Sequence, residues 1–220
     1  MRQTYAHATG SGPADPSQLT VTTYDKIAGI YTRQYFDDLT DTPWIDKLLA
    51  CLPDQAKILD VGCGPGEFAQ YMLSKGYDVT GVDLSKAMIR IARQKVAKDR
   101  FSVMDRRQLA FDDSTFDGLL AAYSIIHIPN NEVVRTLKEF SRVVKPSGCI
   151  MTITQVGEPD RIVDEPLLAG EKIFMNFFTS EGIADQFRGA GLEVIYQEEL
   201  PSQDPGSLSS RVIYTIGKEL

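Results

Sequence analysis

The sequence predicts a three-layer α/β domain in which a doubly wound, mostly parallel sheet lies between two layers of helices. Two observations lead to this fold class. Short apolar runs alternate with segments of helical period from residue 56 to residue 154, which is typical of a parallel sheet covered on both faces. Two further apolar runs near the C-terminus then predict strands that have no helix between them.

A cap of two helices is predicted to precede the sheet. A stripe of aromatic residues favours one helix over residues 20–36, and prolines at 43 and 53 delimit another over 43–51. The alternation that follows predicts strands at 56–61, 78–82, 101–104 and 116–122 and helices at 67–74, 85–96 and 131–144.

The C-terminal third is predicted to close the sheet differently. A proline-serine-glycine turn at 146–148 leads into a strand over 149–154, and a helix follows over 180–190. Strands at 192–198 and 211–216 form a hairpin in this prediction. Such a hairpin places an antiparallel edge on an otherwise parallel sheet.

The chain is predicted to form a single domain. Its 220 residues, 43% of them hydrophobic, are enough for one α/β domain with a sizeable core. Residues 1–18 mix Gly, Pro, Thr and Ala without an apolar stretch, so we expect a disordered leader and no signal peptide. Residues 19–220 then form the domain, with residues 19–53 as its N-terminal helical cap.

The overall composition and net charge limit the cellular location of the protein and the classes of partner that it can bind. No apolar run reaches the roughly 18 residues of a membrane span, and a net charge of -7 disfavours nucleic acid as a partner. Cys51, Cys63 and Cys149 are too scattered for a disulfide framework, and without a His/Cys cluster no metal site is expected. These features predict a cytoplasmic protein.

The most informative segment is ILDVGCGPG at residues 58–66. Its glycines Gly62, Gly64 and Gly66 end a predicted strand and open a helix, so the backbone can approach a ligand closely. Asp60 lies just before them. A carboxylate there would repel a pyrophosphate but suits a ligand that carries an ammonium and a sulfonium.

Two more acids follow the next two predicted strands. Asp83 can accept hydrogen bonds from both hydroxyls of an adenosine ribose, and Leu84 and Met88 are predicted to belong to the same binding site. Asp105 is predicted to take the adenine amino group, while Met104 packs on the adenine ring.

Together these motifs resemble the class I methyltransferases, Rossmann-like enzymes that use S-adenosylmethionine, and particularly their broad, type 11-like small-molecule branch. The matching segments are ILDVGCGPG at 58–66, VTGVDLSKAMI at 79–89, LAFDDSTFDGLLAAYSIIHIP at 109–129 and RVVKPSGCIMTI at 142–153. The resemblance implies that the glycine loop contacts the methionine portion of the cofactor, Asp83 the ribose and Asp105 the adenine. It also implies that Tyr123 and Ser124 lie at the methyl-transfer centre, and that S-adenosylhomocysteine is the product.

We therefore expect methyl transfer to a small-molecule acceptor by in-line displacement, achieved mainly by positioning. His127 is the candidate general base. The alternative is a structural histidine whose hydrogen bonds are satisfied at the start of a helix. Tyr24 and Tyr31 have two possible roles. They either close over the cofactor and present a hydroxyl, or they only pack in the core or at the surface. The apolar cluster within 174–178 either roofs a pocket for an apolar or aromatic acceptor or belongs to the core.

Three other functions are the alternatives to this one. An NAD(P)-dependent oxidoreductase is disfavoured, because its fingerprint is Gly-x-Gly-x-x-Gly and not an acid followed by Gly-x-Gly-x-Gly. A non-catalytic S-adenosylmethionine-binding regulatory module and a methyltransferase with a protein acceptor both stay open. No motif specifies the acceptor, the methylated atom or the oligomeric state.

Overall fold

The structure is a computed structural model that describes residues 16–204 and 206–219, the side chain of Lys98 excepted. The α-helices of this part of the chain are α1 (Pro16–Tyr35), α2 (Thr42–Leu49), α3 (Glu67–Ser74), α4 (Lys86–Lys95), α5 (Val133–Val143) and α6 (Ser180–Gly189). The strands are β1 (Lys57–Val61), β2 (Asp78–Asp83), β3 (Phe101–Val103), β4 (Phe116–Ala122), β5 (Val144–Gln155), β6 (Arg161–Asp164), β7 (Lys172–Met175), β8 (Leu192–Pro201) and β9 (Arg211–Glu219).

Seven strands form one sheet in the order β3-β2-β1-β4-β5-β9-β8. The first five pair in parallel, whereas β9 runs antiparallel to β5 and β8 antiparallel to β9. The predicted fold class, a Rossmann-like sheet with an antiparallel C-terminal edge, is therefore confirmed. The strand order reverses between β1 and β4, and this switch point is where open α/β sheets bind ligands.

The two faces of the sheet carry separate apolar layers. One layer packs α5 and α6 against side chains such as Leu59 and Leu119, and the other packs α2, α3 and α4 against Ile58 and Leu120. Neighbouring residues of one strand thus point to opposite layers, as the alternation of side chains along a strand requires. Among the helices described, none combines the length and the apolar character needed to cross a bilayer.

Most predicted elements lie within two or three residues of the observed ones, but the N-terminal boundary differs. Helix α1 begins at Pro16, so residues 16–18 of the predicted leader are helical. The remainder of that prediction, residues 1–15, lies outside the described residues. The helical cap packs on the sheet domain through contacts of α1 with α4 and of α2 with β5.

The predicted turn at 146–148 is a bulge inside one long strand. Between the pairs Phe116–Val144 and Gly118–Cys149, β4 advances two residues while β5 advances five. The ammonium of Lys145 lies 2.6 Å from a carboxylate oxygen of Asp117 and ties the bulge to β4. Residues 146–148 therefore form a bulge within β5 and do not precede the strand.

A second, two-stranded sheet was not predicted. Strands β6 and β7 pair antiparallel outside the main sheet, and α1 packs against β7. The hydroxyl of Thr23 donates to the Lys172 carbonyl at 2.8 Å, and Lys26 pairs with Glu171 at 2.7 Å. The hairpin was missed because β6 is short and exposed, so its sequence lacks the alternation that marks a half-buried strand.

The packing of α6 on the sheet yields a stability prediction. Phe187 is fully buried, and its ring lies against Gly217 so closely that a Cβ there would be 2.5 Å from the ring. We expect Phe187→Ala to lower the free energy of unfolding by about 3–5 kcal/mol, because the lost contacts leave a cavity.

Urea denaturation measures this loss, with Ile162→Ala as the matched control. Ile162 is 61% exposed, so its truncation should change the free energy of unfolding by only about 0.5 kcal/mol. Equal effects of the two substitutions would contradict the packing of α6 described here.

Candidate cofactor and acceptor site

Two adjoining cavities open at the carboxyl ends of the parallel strands. The smaller, which we call the glycine-loop cavity, has about 620 Å³ of empty volume and is lined by Gly62, Gly64 and Asp83 among others. The larger has about 1050 Å³ of empty volume, including space open to solvent. We call it the tyrosine cavity after its tyrosines, which are Tyr24, Tyr31, Tyr35, Tyr123 and Tyr214.

The two cavities share part of their walls. The side chains that border both are Tyr24, Tyr31, Glu67, Phe68, Tyr123 and His127. They come from α1, from the start of α3 and from the segment after β4. A group that moves from a ligand in one cavity to a ligand in the other must therefore pass between these side chains.

The glycine loop follows β1 and opens α3. Gly62, Gly64 and Gly66 all have positive φ angles of 73°, 51° and 96°, a region in which L side chains are strained. A Cβ on Gly64 would face Tyr31, 3.9 Å from its ring, whereas a Cβ on Gly66 would lie 2.9 Å from Val96. Gly64 therefore leaves room beside the cavity, and Gly66 lets the loop pack against α4.

Asp83 joins this loop to the end of β2. One of its carboxylate oxygens accepts a hydrogen bond from the Gly64 amide at 3.1 Å, and the other accepts from the Ser85 amide at 2.8 Å. Burial raises the pKa of Asp83, and the Ser85 amide opposes the shift. Leu84 and Met88 line the same cavity, so three of the predicted adenosine-site residues lie together.

Four predicted cofactor residues are not among the described residues that line either cavity: Asp60, Gly66, Met104 and Asp105. Asp60 is 2% exposed, and burial followed by the charge of Asp83 raises its pKa from 3.8 to about 8. Asp105 is held by the guanidinium of Arg107 at 2.8 Å. The sulfur of Met104 accepts from the Ala110 amide at 3.2 Å, so both side chains already have partners within the protein.

Two residues that sequence reasoning missed lie close to the predicted ones. Arg106 lines the glycine-loop cavity and donates to the carbonyl of Ser124; burial lowers its pKa, while the charge of Asp83 opposes the shift. Glu67 is 7% exposed, and its Oε2 has no hydrogen-bond partner in the described part of the chain. Its position directly after the glycine loop was the one sequence signal for it.

His127 is part of a hydrogen-bonded chain that ends at Tyr24. Its Nδ1 lies 2.9 Å from the carbonyl oxygen of Phe174 and its Nε2 lies 3.0 Å from the hydroxyl of Tyr24. Because a carbonyl only accepts, Nδ1 carries the proton of the neutral ring and Nε2 accepts from Tyr24. Burial, and then the charge of Arg106, lowers the pKa of His127 to about 3. A low pKa and two hydrogen-bonded ring nitrogens favour a structural histidine over a general base.

Tyr123 and Tyr214 both donate to one carboxylate of the tyrosine cavity, that of Asp41. Their hydroxyls donate to the two oxygens of Asp41 at 3.0 Å and 2.6 Å. Tyr123 follows β4 with a φ of 50°, and strained backbone of this kind clusters at functional sites. Ser124, also predicted, lines the glycine-loop cavity next to Gly62. Asp41 and Tyr214 carried no motif and were not predicted.

The apolar cluster predicted within 174–178 divides between two roles. Met175, together with Ile173, lines the tyrosine cavity. Phe177 and Phe178 are buried in the core layer that contains α5 and α6, and Phe174 is buried as well. Core packing therefore applies to the three phenylalanines, and only the end of β7 contributes to the cavity wall.

Comparison with known proteins agrees with this geometry. Residues 58–148 match a family of methyltransferase domains. This segment makes up about two fifths of the chain, and in it the chain is similar to methyltransferase domains. It runs from β1 to the bulge of β5 and includes both loops at the switch point.

Two curated relatives and one solved structure illustrate the family. The malonyl-[acyl-carrier protein] O-methyltransferase of Pectobacterium atrosepticum is 34% identical over 60% of this chain and 51% of its own length. The demethylmenaquinone methyltransferase of Bacillus subtilis is 30% identical over 61% of this chain and 65% of its own length. The chain thus spans less than two thirds of either relative.

The structural likeness extends further along the chain. The 1,6-didemethyltoxoflavin-N1-methyltransferase of Burkholderia thailandensis, solved with 1,6-didemethyltoxoflavin and S-adenosylhomocysteine, superposes with a TM-score of 0.75. The match covers 97% of this chain and 93% of that one at 19% identity. At this identity the comparison concerns the fold, and it includes the helical cap and the C-terminal hairpin.

A buried carboxyl group of the site leads to a pH prediction. Burial raises the pKa of Glu67 from 4.5 to about 8, so the folded protein binds a proton that the unfolded chain releases. Stability should be highest below the unfolded pKa and fall as the pH rises through the folded one. Without added cofactor, we expect a loss of up to about 1.4 kcal/mol per pH unit from this carboxyl between about pH 5 and pH 8.

Urea denaturation across this pH range tests the assignment. Glu67→Gln should flatten the decline, because the amide does not titrate. Glu193→Gln, which neutralises an exposed carboxylate on β8, should leave the decline unchanged. An unaltered slope in Glu67→Gln would show that this carboxyl is not the titrating group.

Proposed function

We propose that this chain transfers a methyl group from S-adenosylmethionine to a small-molecule acceptor. The cofactor would occupy the glycine-loop cavity and the acceptor the tyrosine cavity. The observation that carries this proposal is the wall of six side chains that the two cavities share. A donor and an acceptor bound on either side of it would meet at one place, as an in-line transfer requires.

The residues of the glycine-loop cavity fit S-adenosylmethionine. Gly64 leaves space that a Cβ would fill, and the unpartnered Oε2 of Glu67 lies beside it, a suitable neighbour for a cation. We assign Gly62 and Gly64 to the methionine portion and Asp83 to the ribose hydroxyls. Asp60 and Gly66 would support the loop from below.

The adenine end of the cofactor is assigned to apolar side chains. Leu84 and Met88 line the cavity beyond Asp83 and would pack against the ring. Arg106 borders the same space. We leave Met104 and Asp105 out of this assignment, because Asp105 is held by Arg107 and the sulfur of Met104 by a backbone amide.

When bound, S-adenosylmethionine supplies an electrophilic methyl group on a positively charged sulfur. The protein then has to align the acceptor and keep water away, and a strong base is not needed for an acceptor that has a free lone pair. The shared wall, with its tyrosine and phenylalanine rings, would exclude water. His127, held by the Phe174 carbonyl, orients the Tyr24 hydroxyl and is a positioning residue in this scheme.

The names of two relatives support a small acceptor. One is named for demethylmenaquinone, and the solved structure holds 1,6-didemethyltoxoflavin, whereas a third is named for a malonyl group carried by an acyl carrier protein. A tyrosine cavity that adjoins the cofactor cavity gives a regulatory module no evident use, so catalysis is the better explanation of the pair.

The cofactor assignment is tested by calorimetric titration with S-adenosylmethionine and S-adenosylhomocysteine. We expect the wild type to bind both and Asp83→Ala to bind at least about tenfold more weakly, because charged hydrogen bonds are worth about 1.5–3 kcal/mol. Asp78→Ala is the matched control, since it removes an exposed carboxylate from the other end of β2. If a nicotinamide nucleotide bound instead, the proposal would be wrong.

A pH profile tests the role of His127. With an acceptor found by screening for S-adenosylhomocysteine release, kcat/KM should show no inflection near pH 6.5, because the pKa of His127 is about 3. His127→Gln should raise the acceptor KM more than it lowers kcat. An inflection near 6.5 that disappears in His127→Gln would establish a general base.

A further inference from the structure

We propose that the acceptor carries a positively charged amine on an aromatic or apolar body, and that a different atom of the acceptor, one with a free lone pair, takes the methyl group. This inference rests on the proposed function, because it assigns a chemical class to the ligand of the tyrosine cavity. Four features of that cavity support it: the sign of its charges, the unpartnered oxygen atom of Gln155, the direction of its hydroxyl groups and its aromatic rings.

The charges of the cavity are of one sign. Its charged acidic lining residues are Asp38, Asp41, Glu165 and Asp204. Burial raises the pKa of Glu67 to about 8 and so keeps this carboxyl protonated near neutral pH. Among the described residues of its wall there is no lysine or arginine, and His127 is neutral. Glu165 is 7% exposed, so its charge is poorly screened by water. An anionic acceptor would be repelled here, and a cation would be attracted.

A buried oxygen atom of the tyrosine cavity has no donor. Oε1 of Gln155 has no hydrogen-bond partner within residues 16–204 and 206–219, and its side chain is 9% exposed. A buried acceptor without a donor costs about 1–3 kcal/mol. Gln155 borders only the tyrosine cavity, so an N–H donor of the acceptor is its natural partner.

Four of the five tyrosine hydroxyls donate hydrogen bonds to groups of the protein. Tyr24 donates to His127 at 3.0 Å and Tyr35 to Asp204 at 3.4 Å, while Tyr123 donates to Asp41. Tyr214 donates to the same carboxylate. Each hydroxyl therefore has only lone pairs left for a ligand. Four acceptor oxygens on aromatic rings form a wall that suits N–H donors.

The rings contribute a second attraction. The aromatic lining residues are the five tyrosines and Phe68. Aromatic faces attract cations, by about 0.5–2 kcal/mol depending on desolvation. The same rings, with Ile173 and Met175, present apolar surface to the body of a ligand. A protonated amine attached to an aromatic or apolar group meets all of these requirements at once.

The test uses three matched probes on the complex with S-adenosylhomocysteine: 2-phenylethylamine, 2-phenylethanol and phenylacetate. They share a phenyl ring and differ in charge. By calorimetry, we expect the amine to bind about tenfold or more tightly than the alcohol, and the acid to give no detectable binding. Tighter binding of the alcohol or the acid, or binding of none of the three, would overturn the inference.

Variants connect the preference to the cavity. Glu165→Gln and Asp204→Asn should each reduce the preference for the amine over the alcohol by about fivefold, while affinity for S-adenosylhomocysteine stays unchanged. Asp164→Asn is the control, because Asp164 is exposed, pairs with Lys172 and precedes Glu165 in the chain. Equal weakening of amine and alcohol in both cavity variants would indicate a merely structural role and contradict the inference.

The two proposals fail in different ways. If S-adenosylhomocysteine does not bind to the wild type, the proposed function itself is wrong. If it binds and the three probes show no preference for the amine, the methyltransferase proposal stands and only the assignment of the acceptor class is lost.

Discussion

The site depends on the meeting of two loops at the point where the strand order reverses. The glycine loop leaves β1 and the segment with Tyr123 and Ser124 leaves β4, so adjacent parallel strands bring both to one edge of the sheet. A Cβ on Gly62 would lie 2.5 Å from the hydroxyl oxygen of Ser124, which shows how closely they approach. The helical cap and the β6–β7 hairpin then complete the walls around this contact.

Several carboxyl groups lie together at this edge of the sheet, although the fold does not require carboxyl groups there. Asp60 and Glu67 are buried with raised pKa values, and Asp83 relies on two backbone amides. Removing such groups from water is costly unless a cation or a donor compensates. A positively charged cofactor on one side of the shared wall and a positively charged acceptor on the other would supply that compensation.

The elements of the sheet domain were predicted well because each of them is marked by residues that are adjacent in the sequence. Helix α3 and strand β4 have the predicted bounds, since glycines and apolar periodicity mark their ends. The bulge at residues 146–148 was predicted as a turn, because a strand that continues through Pro, Ser and Gly is recognised only from its pairing with β4. Strand β6 was missed since four exposed residues carry no alternation.

The sequence by itself determined the fold class, the glycine loop and the acid after β2, because each depends on residues adjacent in the chain. Only the tertiary structure decided that Arg107 pairs with Asp105, that His127 is hydrogen-bonded to Tyr24, and that Asp41, Gln155, Glu165 and Asp204 surround one space. These residues come from distant segments. Their proximity results from packing of the cap, the hairpin and the β8–β9 loop, which no local pattern encodes.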